Sequence, residues 1–94
     1  MIYNLNCEYD ARQSFYGKAT VQKTVNKNVE DLKLYSYSTL VARATKVGNI
    51  TTYHYFGKYS QTTTRHQKEF FRQLGLSDKD IKELFKNGKL EKRL

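Results

Sequence analysis

Residues 42–55 read ARATKVGNITTYHY, and the reading of this stretch decides the fold. Gly48-Asn49 separates two runs of β-branched, aromatic and small residues. A two-residue loop containing glycine suits a hairpin, because glycine takes positive φ without a side-chain clash. That loop sets Val47 opposite Ile50, Ala44 opposite Tyr53, Ala42 opposite Tyr55 and Leu40 opposite Gly57. Small residues facing large ones make a core face. The other face pairs Thr45 with Thr52, Arg43 with His54, Val41 with Phe56 and Thr39 with Lys58. It is polar and basic, with one aromatic in its middle. A one-residue slip would exchange the faces of one strand, so everything built on this register depends on the loop.

Working outward, the two strands are expected over residues 33–47 and 50–60. Upstream, residues 15–25, FYGKATVQKTV, alternate, with Phe15, Gly17, Ala19, Val21 and Val25 on one parity. Period two marks a half-buried strand. Asn26 to Asp31 reads as a polar turn. The first 13 residues are mixed, although Ile2, Tyr3 and Leu5 suit a short strand.

Downstream, a helix is expected over about 62–74, with Thr62 or Thr63 accepting from an orphan amide of its first turn. Phe70, Phe71 and Leu74 fall at helical spacing and should face the sheet, and Gly75 ends the helix. A second helix, about 77–87, opens on Ser77 with Asp80 in a capping box and carries the stripe Ile81, Leu84, Phe85. The charged tail, 88–94, is expected to fray. The expected fold is α+β: a three- to four-stranded antiparallel sheet followed by two C-terminal helices packed on one face, in a single small domain.

Charge narrows the function. Seventeen Lys and Arg stand against nine Asp and Glu, a net charge of +8 on 94 residues. That surplus favours anionic partners: nucleic acid, an acidic protein or an anionic surface. Cys7 is the one cysteine, so an internal disulfide and a Cys-rich zinc site are excluded and a reducing cytosol is expected. No apolar run approaches a membrane span, and no membrane role is expected. No Gly-rich phosphate loop or metal-ligand spacing is present, so no cofactor and no metal are expected.

Three motifs remain. The stretch FFRQLGLSDKDIKELF, residues 70–85, has the rhythm of a helix-turn-helix. Asp78 and Asp80 would meet phosphates with the wrong sign, however, and an αα-hairpin covering the sheet is the better reading. His54 and His66 would suit a metal-free ribonuclease only if both converged on one phosphate. The register places His54 on the open sheet face and His66 at a helix start, so an enzyme is not expected. The motif YSQTTTRH, residues 59–66, combines threonines at a helix start with Arg65 and His66. Such a start offers free amides to an anion, and it also serves simply as a cap.

The runs LYSYSTLVA at 34–42 and YSQTTTRH at 59–66, followed by QKEFFRQLG, resemble a family of small phage and mobile-element proteins of Firmicutes. Members share a Y-S-x-T-T-x-R-H pattern, matched here by Tyr59, Ser60, Thr62, Thr63, Arg65 and His66. The resemblance carries no activity. It implies a bacterial cytosol and an accessory role.

The expected function is nucleic-acid binding. Lys18, Arg43, His54, Phe56 and Lys58, with Tyr16, should share the basic sheet face, where cations meet phosphates and rings stack on bases. Thr63, Arg65, His66, Lys68 and Arg72 should add contacts from the helix. The alternative is an inhibitor of a host defence system, an anti-CRISPR or similar factor that binds a host protein or a protein–RNA complex. Eight tyrosines suit such an interface. An exposed strand edge leaves a homodimer open.

Overall fold

The computed structural model describes residues 1–11 and 14–93; Arg12, Gln13 and Leu94, the end of the expected fraying tail, lie outside the described residues. Six strands form one antiparallel sheet in the order β1-β2-β3-β4-β5-β6. They are β1 (Ile2–Asn4), β2 (Ala19–Asn26), β3 (Val29–Ser36), β4 (Thr39–Val47), β5 (Ile50–Tyr55) and β6 (Lys89–Arg93). Helices α1 (Gln61–Gln73) and α2 (Asp78–Asn87) lie between β5 and β6 in the chain. The fold class is α+β as expected, but the sheet has six strands where the sequence suggested three or four.

The hairpin at Gly48-Asn49 forms in the expected register, with Val47 opposite Ile50, Arg43 opposite His54 and Ala42 opposite Tyr55. Gly48 has φ 62°, the left-handed geometry that the loop requires.

Two further hairpins escaped the sequence reading. The run 33–47 is not one strand. It breaks at Tyr37-Ser38, where both residues are left-handed, with φ 51° and 70°. A I′-type turn needs positive φ at both positions, and tyrosine and serine are not the residues that signal it. The expected polar turn at 26–31 is mostly strand, and Lys27-Asn28 alone forms the turn between Asn26 and Val29. Val25, placed on the core parity by sequence, is exposed near the end of its hairpin.

Past Ala42 the regular ladder with β5 ends, with one further backbone bond from the Phe56 amide to the Val41 carbonyl at 3.2 Å, and β4 carries a bulge against β3. Leu34 pairs with Ala42 and Tyr35 with Leu40, so Val41 is the extra residue. Val41 turns inward and is fully buried, not outward beside Phe56. Gln67 of α1 donates from Nε2 to the Val41 carbonyl at 3.0 Å and to the Gly57 carbonyl at 3.1 Å. The Val41 carbonyl is thus bonded both by the chain leaving β5 and by a buried helix side chain. Strand β5 stops at Tyr55, and the chain then turns through Gly57 at φ 100°. The expected pairs Leu40–Gly57 and Thr39–Lys58 therefore do not form.

The helices cover one face of the sheet. Ala19, Val21, Leu32, Leu34, Ala42, Ala44 and Tyr53 form the sheet side of the core, and Phe70, Phe71, Ile81 and Leu84 form the helix side. Tyr53 meets Phe71 edge-on at 6.3 Å, and Tyr55 stacks on Phe85 at 4.1 Å. Helix α2 has the expected Ser77–Asp80 capping box and ends on Gly88, whose φ of 79° is left-handed. The tail is not frayed. It returns as β6 along β5, with Leu90 opposite Tyr53 and Lys89 opposite His54.

Candidate nucleic-acid interface

The face of the sheet away from the helices is uncovered. One register row crosses it: Ile2, Gln22, Lys33, Arg43, His54, Lys89. From Lys33 to Lys89 the row spans four strands, about 14 Å at the usual interstrand spacing. Tyr35 and Phe56 flank it on one side. The Tyr35 hydroxyl donates to Gln22 Oε1 at 3.4 Å, and the Phe56 ring lies parallel to His54 with centroids 6.1 Å apart. Asp31 and Glu91 lie in the next row on the other side, each in register with a threonine.

The row is electropositive. Burial and the charges of Lys89 and Arg43 hold the His54 imidazole below its ordinary value, so it is kept neutral beside them. Lys33 and Lys89 make no ion pair with a described residue. Arg43 is different. Its Nε and Nη2 donate to the two oxygens of Asp31 at 2.9 and 3.0 Å, and Thr45 donates to the same carboxylate. Burial pushes the Asp31 carboxyl up, but the bonds from Arg43 and Thr45 outweigh it and bring the net value down. The hydrogen bond to Asp31 in turn raises Arg43. Arg43 is thus fixed in place, with part of its charge offset.

The residues singled out from sequence do not share one surface. Arg43, His54 and Phe56 lie together on the uncovered face, and Lys58 is exposed in the loop leading to α1. Tyr16 and Lys18 are not on that face, because residues 15–18 form a turn before β2 begins at Ala19. Lys68 and Arg72 belong to the helix layer on the opposite side, where Arg72 pairs with Asp78 at 2.8 Å. Thr63 and His66 are inside, with 4% and 0% of their surface exposed.

Thr63 and His66 of the motif YSQTTTRH accordingly form an internal fastening, while Tyr59 and Arg65 stay exposed. The helix cap is Ser60, not Thr62 or Thr63: the Ser60 hydroxyl accepts from the Thr63 amide at 3.1 Å. Thr63 Oγ1 lies 2.9 Å from Ser36 Oγ, and His66 Nδ1 lies 2.8 Å from the same oxygen. Arg65 reaches Asp10 at 3.2 Å. These contacts occupy the helix start from within, so Thr63 and His66 do not reach a macromolecular ligand. The two histidines lie on opposite sides of the sheet and do not converge on one phosphate.

Four residues of the uncovered face were missed. Lys33 was legible, since Leu32 and Leu34 flank it and period two turns it outward. Tyr35 follows by the same alternation. Lys89 and Arg93 were not, because nothing local shows that the tail pairs with β5. Among the described residues no group of His, Cys, Asp and Glu is placed to hold a metal ion, and no helix is long and apolar enough to cross a membrane. No curated protein and no solved structure matches the chain. A family model does, over residues 3–87, and the chain belongs to that family, DUF8033, a family of unknown function.

Proposed function

We propose that this protein binds single-stranded or looped nucleic acid on the uncovered sheet face. The observation that carries the reading is the row Lys33, Arg43, His54, Lys89 crossing four strands, flanked by Tyr35 and Phe56. Lys33 on β3 and Lys89 on β6, at the two ends of the row, meet separate phosphates of one strand, and the flanking rings offer stacking surfaces to bases. The neutral His54 is held between cations, as a surface prepared for an anion would hold it. The separation of the histidines argues for binding and against phosphodiester cleavage. The motif resemblance of residues 59–66 supports a setting in a bacterial cytosol, as an accessory protein of a phage or mobile element.

The test is binding of a labelled single-stranded oligonucleotide across a salt series. Affinity should rise steeply as salt falls. Lys33→Gln and Lys89→Gln should each weaken binding and flatten the salt slope by about 0.7 for each phosphate no longer neutralised. Binding that ignores salt, or variants that leave the slope unchanged, would sink the proposal. A second reading, docking on a host protein or protein–RNA complex as an anti-defence factor, draws on the exposed Tyr9, Tyr16, Tyr37 and Tyr59. A host protein retained in stoichiometric amount after nuclease digestion of a pull-down would favour it.

A further inference from the structure

At one end of the sheet, a cleft of about 310 Å³ opens between the Phe15–Lys18 turn, the Tyr37-Ser38 turn and the start of α1. Its walls include Phe15, Tyr16 and Tyr37, its rim carries Lys18 and Arg65, and His66 lies at its inner side. Tyr16 and Tyr37 are 79% and 54% exposed, so neither ring is used up by the core. Both residues have left-handed backbones, with φ of 53° and 51°. Bulky side chains seldom hold that conformation, which glycine or asparagine would adopt at little cost. Strain of this kind, where two tyrosines face one cleft, is kept at clamps and binding sites more than elsewhere.

The walls are held from behind. The His66 ring meets Phe15 edge-on at 4.5 Å and lies against Tyr37 at 5.9 Å. Its Nδ1 is tied to Ser36, the residue immediately before Tyr37. The buried part of YSQTTTRH therefore positions the cleft from the inside, while Arg65 from the same motif reaches its rim.

We infer that this cleft receives one unstacked base of a single-stranded nucleic acid. Tyr16 and Tyr37 stack on the base, Lys18 meets the adjoining phosphate, and Arg65 adds charge shared with Asp10. Aromatic walls suit the π-face of any base, and cations at the rim suit the charged backbone beside it. The inference rests on the proposed nucleic-acid binding and adds to it a second place for a base, an enclosed one apart from the open sheet-face rings.

The experiment compares a short single-stranded oligonucleotide with the same backbone carrying abasic sites, at low salt, on the full chain. The variants are Tyr16→Asn with Tyr37→Asn, which keeps the left-handed turns and removes both rings, and Tyr16→Phe with Tyr37→Phe, which keeps the rings. The base-bearing strand should bind about 10-fold or more tightly than the abasic one. The asparagine pair should cut that preference several-fold with the thermal midpoint held, leaving the part due to Tyr35 and Phe56, and the phenylalanine pair should retain it in full. If both strands bind equally, or the preference is undiminished in the asparagine pair, the cleft is overturned while phosphate binding on the sheet face stands. If neither strand binds even at low salt, both readings fall.

Discussion

Ser36 Oγ lies 2.8 Å from His66 Nδ1, joining the last residue of β3 to the second turn of α1 across thirty residues of chain. Thr63 Oγ1 bonds the same serine oxygen, so one buried hydroxyl serves two helix side chains. Buried polar groups persist only when partnered, and this cluster fixes where the helix sits on the sheet. His66→Ala should lower stability by about 2–4 kcal/mol, through a cavity and the removal of a partner from Ser36. Denaturant unfolding measures it. A change under about 0.5 kcal/mol would show that the cluster does not anchor α1.

The cap of α1 separates two readings of the threonine run. Ser60→Ala should cost about 1 kcal/mol, the usual effect of removing an N-cap oxygen. Thr62→Ala should cost little, since the Thr63 amide is already bonded by Ser60. Equal losses in the two variants would return the cap to the threonines.

Acid should weaken the fold through two groups on the uncovered face. Asp31 sits below its ordinary value in the folded chain. Its contribution is complete above the ordinary carboxylate value and is lost as pH falls through the folded one. His54 is also lowered, from an ordinary 6.5. The unfolded chain takes up that proton first, so stability should begin to fall as pH drops below about 6.5. His54→Gln should flatten that limb, and Arg43→Gln should flatten the more acidic one by freeing Asp31 to protonate. Unfolding midpoints across pH 3–8, a range set about those ordinary values, test both.

Ligand should move His54 in the opposite direction. A phosphate beside the row offsets the charges of Lys89 and Arg43, so the imidazolium becomes easier to form. The His54 ring resonances, titrated by NMR with and without a single-stranded oligonucleotide, should shift to a higher midpoint when it is bound. An unmoved midpoint would place the ligand elsewhere.

Strand β6 closes one edge of the sheet with charged residues and covers Tyr53 through Leu90. Truncation after Gly88 should leave β5 as an open edge, lower the thermal midpoint and promote self-association. Light scattering of the truncated chain at rising concentration tests this. A monomer of unchanged midpoint would show that the tail is dispensable.

The alternation in residues 42–55 was enough to place the β4–β5 hairpin, because a glycine loop and small-against-large pairing are local signals. The apolar half of the α1 face and both helix stops were legible for the same reason. The turn at Tyr37-Ser38 was not, since its residues carry none of the usual turn chemistry and only the surrounding sheet holds them left-handed. The bulge at Val41 was equally silent, and it alone reverses which way that side chain points.

The candidate site divides the same way. Arg43, His54 and Phe56 were grouped by the hairpin register and lie together. Thr63 and His66 were expected to offer contacts from the helix start, and nothing in the sequence singled out Gln67. They are buried because they continue the α1 face that holds Phe70 and Phe71, and because Ser36 and the bulge carbonyl of Val41 wait beneath them. The pairing of β6 with β5 brought Lys89 beside His54 and completed the basic row. Period, loop chemistry and net charge are properties of neighbouring residues, and the sequence by itself determined what depended on them. Which polar side chains are interior, and which distant cations meet, depends on contacts far apart in the chain, and tertiary structure alone decided those.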